Sequence, residues 1–267
     1  MSVDDLDDLF PPKPKPLRLL YFDVETAPML AFIWRLKTDY VGTHMLEHES
    51  FLLSWAARWS DGNKVLSGVL TPAEAKAQDD SRIVKSLSQL IRKADYVVAH
   101  NGDRFDLPVV NGRVLVNGLD PLGNVQSIDT LKVARASFKL ASNKLDYLAG
   151  LLGVGHKHGT SFDLWRQCYA GHGPSLKKMV AYNKQDVVLQ EEVFWALVPY
   201  AKTLPRLVEF VEWRQEACPY CGSDSRTKTG LHRTKAGSAQ KYVCDDCGRE
   251  HRHWQTIGNK KAGSIGL

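Results

Sequence analysis

Eight residues constrain this chain more than any others: Leu19 to Thr26, LLYFDVET, where an apolar run turns abruptly acidic. Leu19, Leu20, Tyr21 and Phe22 followed by Asp23-Val24-Glu25 read as a buried strand with two carboxylates at its carboxyl end. Side chains alternate along a strand, so Asp23 and Glu25 share a face and repel one another. Water, a basic partner or a divalent cation must offset that repulsion.

The rest of the pattern alternates. FLLSWAARWS and NKVLSGVLT read as a second and third strand joined by the turn SDGN. SRIVKSLSQLIRKA places Ile83, Leu87, Leu90 and Ile91 on one helical face, with Ser81 positioned to cap its start. DYVVAHN reads as a buried fourth strand, and FDLPVVNGRVLVNGL as a helix with Pro108 in its first turn. VQSIDTLKVAR is a fifth strand running into a helix, NKLDYLAGLLG a short helix ended by glycine, and a long helix spans about Ser175 to about Tyr200. Val154 to Pro174 is expected to be loop interrupted around FDLW. The insert from Ala27 to Ser50 is expected as helix or as loop over a cleft. Its Phe32, Trp34 and Tyr40, near Arg35 and Lys37, suit either base stacking or core packing.

Three antiparallel strands followed by alternating helices and strands imply an α/β fold, an RNase H-like mixed five-stranded sheet flanked by helices. In open sheets the working crevice lies beyond the carboxyl ends of the strands. Asp23 and Glu25 end the first strand, and Asp106 follows the fourth, opening the next helix. On the long helix Tyr182 and Asp186 lie four apart, on one face, with Asp186 among Val180, Val187, Val188 and Leu189. A carboxylate in that setting is costly unless paired or metal-bound. Two Mg²⁺ or Mn²⁺ ions about 3.5 to 4 Å apart would balance four converging acids.

DVET, HNGDRFD and YNKQD, in that order, resemble the three motifs of DEDDy-type 3′-to-5′ exonucleases, the class containing the proofreading domain of family-B DNA polymerases. The resemblance covers roughly residues 17 to 200. It implies that Asp23 bridges two ions, that Glu25 and Asp186 hold the one that activates water, that Asp106 helps hold the other, and that Tyr182 orients the water. The DEDDh branch carries histidine where this chain has Tyr182, so no histidine is required by the chemistry.

Around these acids stand other candidates. His100 and Asn101 could bond the terminal sugar or scissile phosphate, or could satisfy backbone groups in the turn. Asp103 reads as a solvated turn residue, and Asp129 as a helix cap or a support to the site. His156, His158 and His172 fit no tight ligand spacing and read as surface histidines, and Cys168 as a small buried side chain.

The pairs CPYC and CDDCG bring Cys218, Cys221, Cys244 and Cys247 together as a four-thiolate set for one structural Zn²⁺, a zinc ribbon with 22 residues between the pairs. No signal for export accompanies these cysteines, which favours metal over disulfide. From Cys218 onward the chain has nine Lys/Arg against four Asp/Glu, and the remainder has 26 of each, so the whole excess of +5 sits in this module. Arg226, Lys228, Arg233, Lys235 and Lys241, with His232, Tyr242 and Trp254, suit phosphate contact, and Arg233 and Lys235 are carried as substrate-binding candidates.

The organisation expected is a flexible acidic and Pro-rich arm (1–16), an RNase H-like exonuclease domain (17–201), a linker (202–217) and the ribbon (218–267). LDDLF in the arm faintly resembles clamp-binding peptides, which makes a replication or repair protein a candidate partner. No apolar run reaches the ~18 residues of a membrane span, and the reading is cytoplasmic. The expected activity is metal-dependent 3′-to-5′ exonuclease action on DNA or RNA, with a single-stranded 3′ end as substrate and the ribbon assisting. A structure-specific or RNase H-like endonuclease of the same fold is the alternative within enzymes, and a non-catalytic nucleic-acid-binding zinc protein the alternative outside them.

Overall fold

The computed structural model describes residues 15–156, 159–202, 204–209, 217–234 and 237–254. The acidic arm through residue 14, His158, Lys235 and the linker stretch 210–216 lie outside them.

In chain order the strands begin with β1 (Lys15–Pro16), β2 (Leu19–Thr26), β3 (Leu30–Ala31), β4 (Leu46–His48), β5 (Leu52–Trp59) and β6 (Val65–Val69). Helices α1 (Pro72–Ala77) and α2 (Ser81–Ile91) precede β7 (Tyr96–Ala99), and α3 (Asp106–Val116) precedes β8 (Ser127–Asp129). Four helices follow: α4 (Thr130–Ser137), α5 (Leu145–Leu152), α6 (Phe162–Tyr169) and α7 (Gly173–Leu197). Strands β9 (Val208–Glu209), β10 (Arg226–Thr234), β11 (Gly237–Cys244) and β12 (Glu250–Trp254) complete the series.

Contacts divide the chain into two units, Arg18–Lys132 with Leu140–Val193, and the remainder. The first holds the mixed five-stranded sheet, in order β6-β5-β2-β7-β8. β2 is central, antiparallel to β5 and parallel to β7, and β7 is parallel to β8. The apolar run read from the sequence is the reason β2 sits there, since Leu19 and Tyr21 on one face are as buried as Leu20 and Phe22 on the other. Leu20, Phe22 and Val24 join a buried cluster with Ile83, Val84 and Leu87 of α2 and Val110 and Val114 of α3. Asp23, on the other parity, meets Asn183 of α7.

Two local expectations give way. Ser81 does not cap α2; Asp80 occupies the N-cap position, yet its buried carboxylate makes no cap bond. It accepts instead from the Leu52 amide at 2.8 Å, from Arg113 Nε and Nη2 at 2.7 and 2.9 Å, and from Asn117 Nδ2 at 2.7 Å. An ion bridge across three elements outweighs a cap that any nearby polar group could supply. In the insert after β2 the helix alternative fails: β3 and β4 pair with a short helical turn at Thr43–Met45, and Phe32, Trp34 and Tyr40, at 72%, 98% and 78% exposed, do not pack into the core.

In the second unit β10, β11 and β12 form an antiparallel three-stranded sheet with a bulge between Lys228 and Gly230. β1 pairs antiparallel with β9, so Lys15 and Pro16, expected as the end of a free arm, are strand residues. No helix among the described residues is long and apolar enough to cross a membrane.

Candidate metal centre

Two elements deliver the clustered acids, and a third brings Asp106 beside them. β2 carries Asp23 and Glu25, and α7 carries Asp186, buried among apolar neighbours as its sequence context required. One carboxylate oxygen from each of Asp23, Glu25 and Asp186 lies within 4.8 Å of the others. The pairing with β5 shifts register beside this point, Glu25 facing Ser54 and Thr26 facing Leu52.

Asp106 stands beside that triplet rather than in it. The ladder between β2 and β7 runs only from Leu19 to Tyr21, and beyond it the Val24 amide donates to Asp106 Oδ1 at 3.1 Å. Burial pushes the Asp106 carboxyl well above its ordinary range, and the charges of Asp23 and, less, Glu25 push the same way; the Val24 amide opposes them. The turn that launches α3 is tightly specified. Asn101 has φ +70°, and a Cβ on Gly102 would stand 2.4 Å from that of Ala99, so this position accepts only glycine.

Two side chains that sequence reasoning missed hold the acids in place. Asn183 Nδ2 donates to Asp23 Oδ2, and Asn183 Oδ1 accepts from Ser54 Oγ at 3.4 Å. Trp165 Nε1 donates to Glu25 Oε2 at 3.2 Å. Tyr182, half-buried, meets the Trp165 ring edge-on with centroids 6.3 Å apart. A signal existed for Asn183: it lies three residues before Asp186, on the same helical face, and Gln190 continues that face by donating to Val98 O at 2.6 Å. Trp165 had none, because only tertiary structure brings α6 to β2.

The other candidates fall elsewhere. His100 uses both ring nitrogens within the protein, toward Thr130 Oγ1 at 2.8 Å and Asn143 O at 2.9 Å, which is the turn-satisfying alternative. Asn101 donates its amide to Asp129 Oδ1, which also accepts from Leu131 and Lys132 amides as a helix cap does. Asp103 is not a solvated turn residue: it accepts from Ser127 Oγ and pairs with Lys132 Nζ at 2.5 Å. His156 lies 3.8 Å from Asp146, and His172 bonds Ser175 Oγ; neither belongs to a metal-sized cluster among the described residues. Cys168 is fully buried, and burial with the charge of Glu25 raises its thiol to about 11.

In the second unit the sulfurs of Cys218, Cys221, Cys244 and Cys247 lie within 4.8 Å of one another. Their closest approaches are 3.7 Å for Cys218 to Cys247 and 3.5 Å for Cys221 to Cys244. The pairs come from two short turns that a bonded ribbon holds face to face, since the Cys218 amide donates to Ser223 O and the Cys244 amide to Arg249 O. Four soft donors at this separation fit tetrahedral zinc, and the carboxylate triplet fits a hard divalent cation. Arg233 is exposed on β10, whereas Arg226 lies over the Tyr242 ring and Lys241 pairs with Glu250 at 2.7 Å.

A family model described as the RNase_H superfamily matches residues 42–198, more than half of the chain. No curated protein matches it. Among solved structures, the family B DNA polymerase from the hyperthermophilic archaeon Pyrobaculum calidifontis is similar at 19% identity with a TM-score of 0.47. That match covers 72% of this chain and 26% of the polymerase chain, so this protein spans about a quarter of the polymerase's length.

Proposed function

The chain belongs to the RNase H superfamily, and from that premise we propose that it is a divalent-metal-dependent 3′-to-5′ exonuclease of the DEDDy type, acting on DNA or RNA. The observation that carries the reading is the gathering of Asp23, Glu25 and Asp186 oxygens within 4.8 Å, with buried Asp106 adjoining them. In this reading residues 17–201 contain the nuclease and residues 218–267 a zinc ribbon that assists in holding the polynucleotide.

Asp23, Glu25, Asp106 and Asp186 are the residues that would hold two Mg²⁺ or Mn²⁺ ions. Ions of this kind lower the pKa of water and stabilise charge on a leaving oxygen. The chain's own part is positional. Asn183 fixes the orientation of Asp23, Trp165 fixes Glu25, and Tyr182, braced on the Trp165 ring, orients the attacking water. Water attacks phosphorus in line, the bond to the 3′ oxygen breaks, and that oxygen leaves with a proton, releasing a nucleoside 5′-monophosphate.

A 5′-labelled single strand with Mg²⁺ tests the reading. A progressive ladder from the 3′ end supports it, and cuts within a circular strand would replace it with an endonuclease. Asp23→Asn should abolish cleavage and spare binding; equal cleavage by parent and variant would remove the metal mechanism.

A further inference from the structure

A cavity of about 760 Å³ opens in the second unit, between the segment that follows α7 and the ribbon strands. Its wall carries Lys202, Arg206, Arg249 and Arg252, while Tyr220 and three prolines, Pro199, Pro205 and Pro219, give it flat apolar faces. The one carboxylate in the lining, Glu250, is already paired with Lys241 at 2.7 Å and lies 3.9 Å from Arg252. Positive charge therefore dominates the space.

Arg249 makes this more than a basic surface. It is only 6% exposed, donates Nη1 to Val198 O at 2.7 Å, and lies over the Tyr220 ring at 4.0 Å. Among the described residues its Nε has no hydrogen-bond partner and no carboxylate pairs with it. A buried guanidinium held in place by a carbonyl and an aromatic face, with no counter-charge, favours an anion strongly. Of the basic residues singled out from the sequence, His232 lines the cavity, whereas Lys228 and Arg233 are exposed on β10 and do not.

We propose that this cavity is the strand-holding site of the second unit: it takes phosphodiester groups of a single-stranded polynucleotide on Lys202, Arg206, Arg249 and Arg252, with a base against the proline and tyrosine faces. The volume lies in the range of pockets that enclose a small organic molecule, which suits one or two nucleotides rather than a duplex. The proposal rests on the nuclease reading for the identity of the polymer, but not on cleavage.

Binding is therefore measured in an Asp23→Asn background, with zinc retained and no chelator, by fluorescence anisotropy of a labelled single strand across a salt series. Lys202→Glu with Arg252→Glu should weaken binding about tenfold or more, and should flatten the slope of log affinity on log salt by about 1.4, the share of two phosphate contacts. Lys228→Glu with Arg233→Glu should change affinity less than about threefold. Affinity and slope within twofold of the parent for the first pair, or an equal loss for the second, would overturn the site. Inorganic phosphate and a free mononucleotide should compete only at millimolar levels; displacement by micromolar mononucleotide would make it a small-molecule site and overturn the polymer. Should the double variant lose zinc, the exposed single change Lys202→Gln decides: a slope flattened by about 0.7, the share of one contact, with weaker binding supports the site, and an unchanged slope and affinity overturns it. Cleavage assays on the parent fail or succeed separately, so loss of the nuclease reading would be seen apart from loss of this one.

Discussion

Trp165 Nε1 donates a hydrogen bond to Glu25 Oε2 at 3.2 Å, joining α6 to the carboxyl end of β2 across 140 residues of chain. Trp165 also carries the Tyr182 ring edge-on, so one indole positions two of the proposed site residues. Trp165→Phe keeps an aromatic surface and removes the donor. Partners that orient metal ligands are typically worth about 10 to 100-fold in metal affinity or activity. The variant should need about tenfold more Mg²⁺ for half-maximal cleavage, read from a metal titration at fixed substrate. An unchanged midpoint and rate would show that Glu25 is held by other means.

Asp106 gives a pH-dependent prediction in the metal-free protein. Its carboxyl is raised by burial first and by Asp23 second, whereas in the unfolded chain it titrates near its ordinary value, about 3.9. Between those two values the folded state binds a proton that the unfolded state lacks. Stability should therefore rise as pH falls from neutrality through the raised value, and the gain should be complete at the unfolded one. Asp106→Asn keeps an oxygen for the Val24 amide and removes the charge. Without metal it should melt a few degrees higher than the parent at neutral pH, lack the acid-side rise, and lose about 100-fold or more in cleavage. A lower melting temperature would mean that the charge is stabilising where it stands.

The elements whose signal is periodic were legible. β2, β5, β6 and β7 follow apolar stretches of strand length, and α2 follows its helical stripe, so most of the mixed sheet was legible from pattern, while β8, Ser-Ile-Asp, carries little of it. The acids were legible because they interrupt that pattern: a carboxylate at a buried position such as Asp186 advertises itself. Asn183 and Trp165 did not, since an amide on a helix and a tryptophan in a glycine-rich stretch break no rule until their partners are known. Asp80 misled for the same reason, its serine neighbour being a plausible cap and its true partners lying 28 to 37 residues away. The cavity beneath Arg249 was hidden because its cations come from separate segments, none of them a basic run.

Asp80 supplies a prediction about folding alone. Its buried carboxylate pairs with Arg113 at 2.7 Å and also accepts from the Leu52 amide and Asn117. Asp80→Ala leaves the Arg113 guanidinium, itself largely buried, without its counter-charge. Breaking one side of such a pair costs about 3 to 5 kcal/mol, and the melting temperature should fall accordingly by roughly 10 °C. Well below that temperature cleavage should remain within about threefold of the parent. A loss confined to activity, with melting unchanged, would place Asp80 in the nuclease site instead.

The four clustered sulfurs predict how a zinc ion would be held. Cys218 is drawn down from the ordinary thiol range, chiefly by the hydrogen bond from Cys247, so its thiolate form is favoured over those of its neighbours. Burial raises Cys221 to about 12, and Cys247, which gives its proton toward Cys218, is raised further. Zinc must displace protons from the raised thiols, because only thiolates bind it well. Zinc affinity should therefore fall by about tenfold or more for each pH unit between about 8 and about 6, read by competition with a coloured chelator. Removing zinc should unfold the three-stranded ribbon, whose strands have too little buried apolar surface to stand alone, while the five-stranded sheet keeps its hydrogen-exchange protection. Protection lost in both units at once would show that they unfold together, and protection kept in β10, β11 and β12 would show that the ribbon does not depend on its metal.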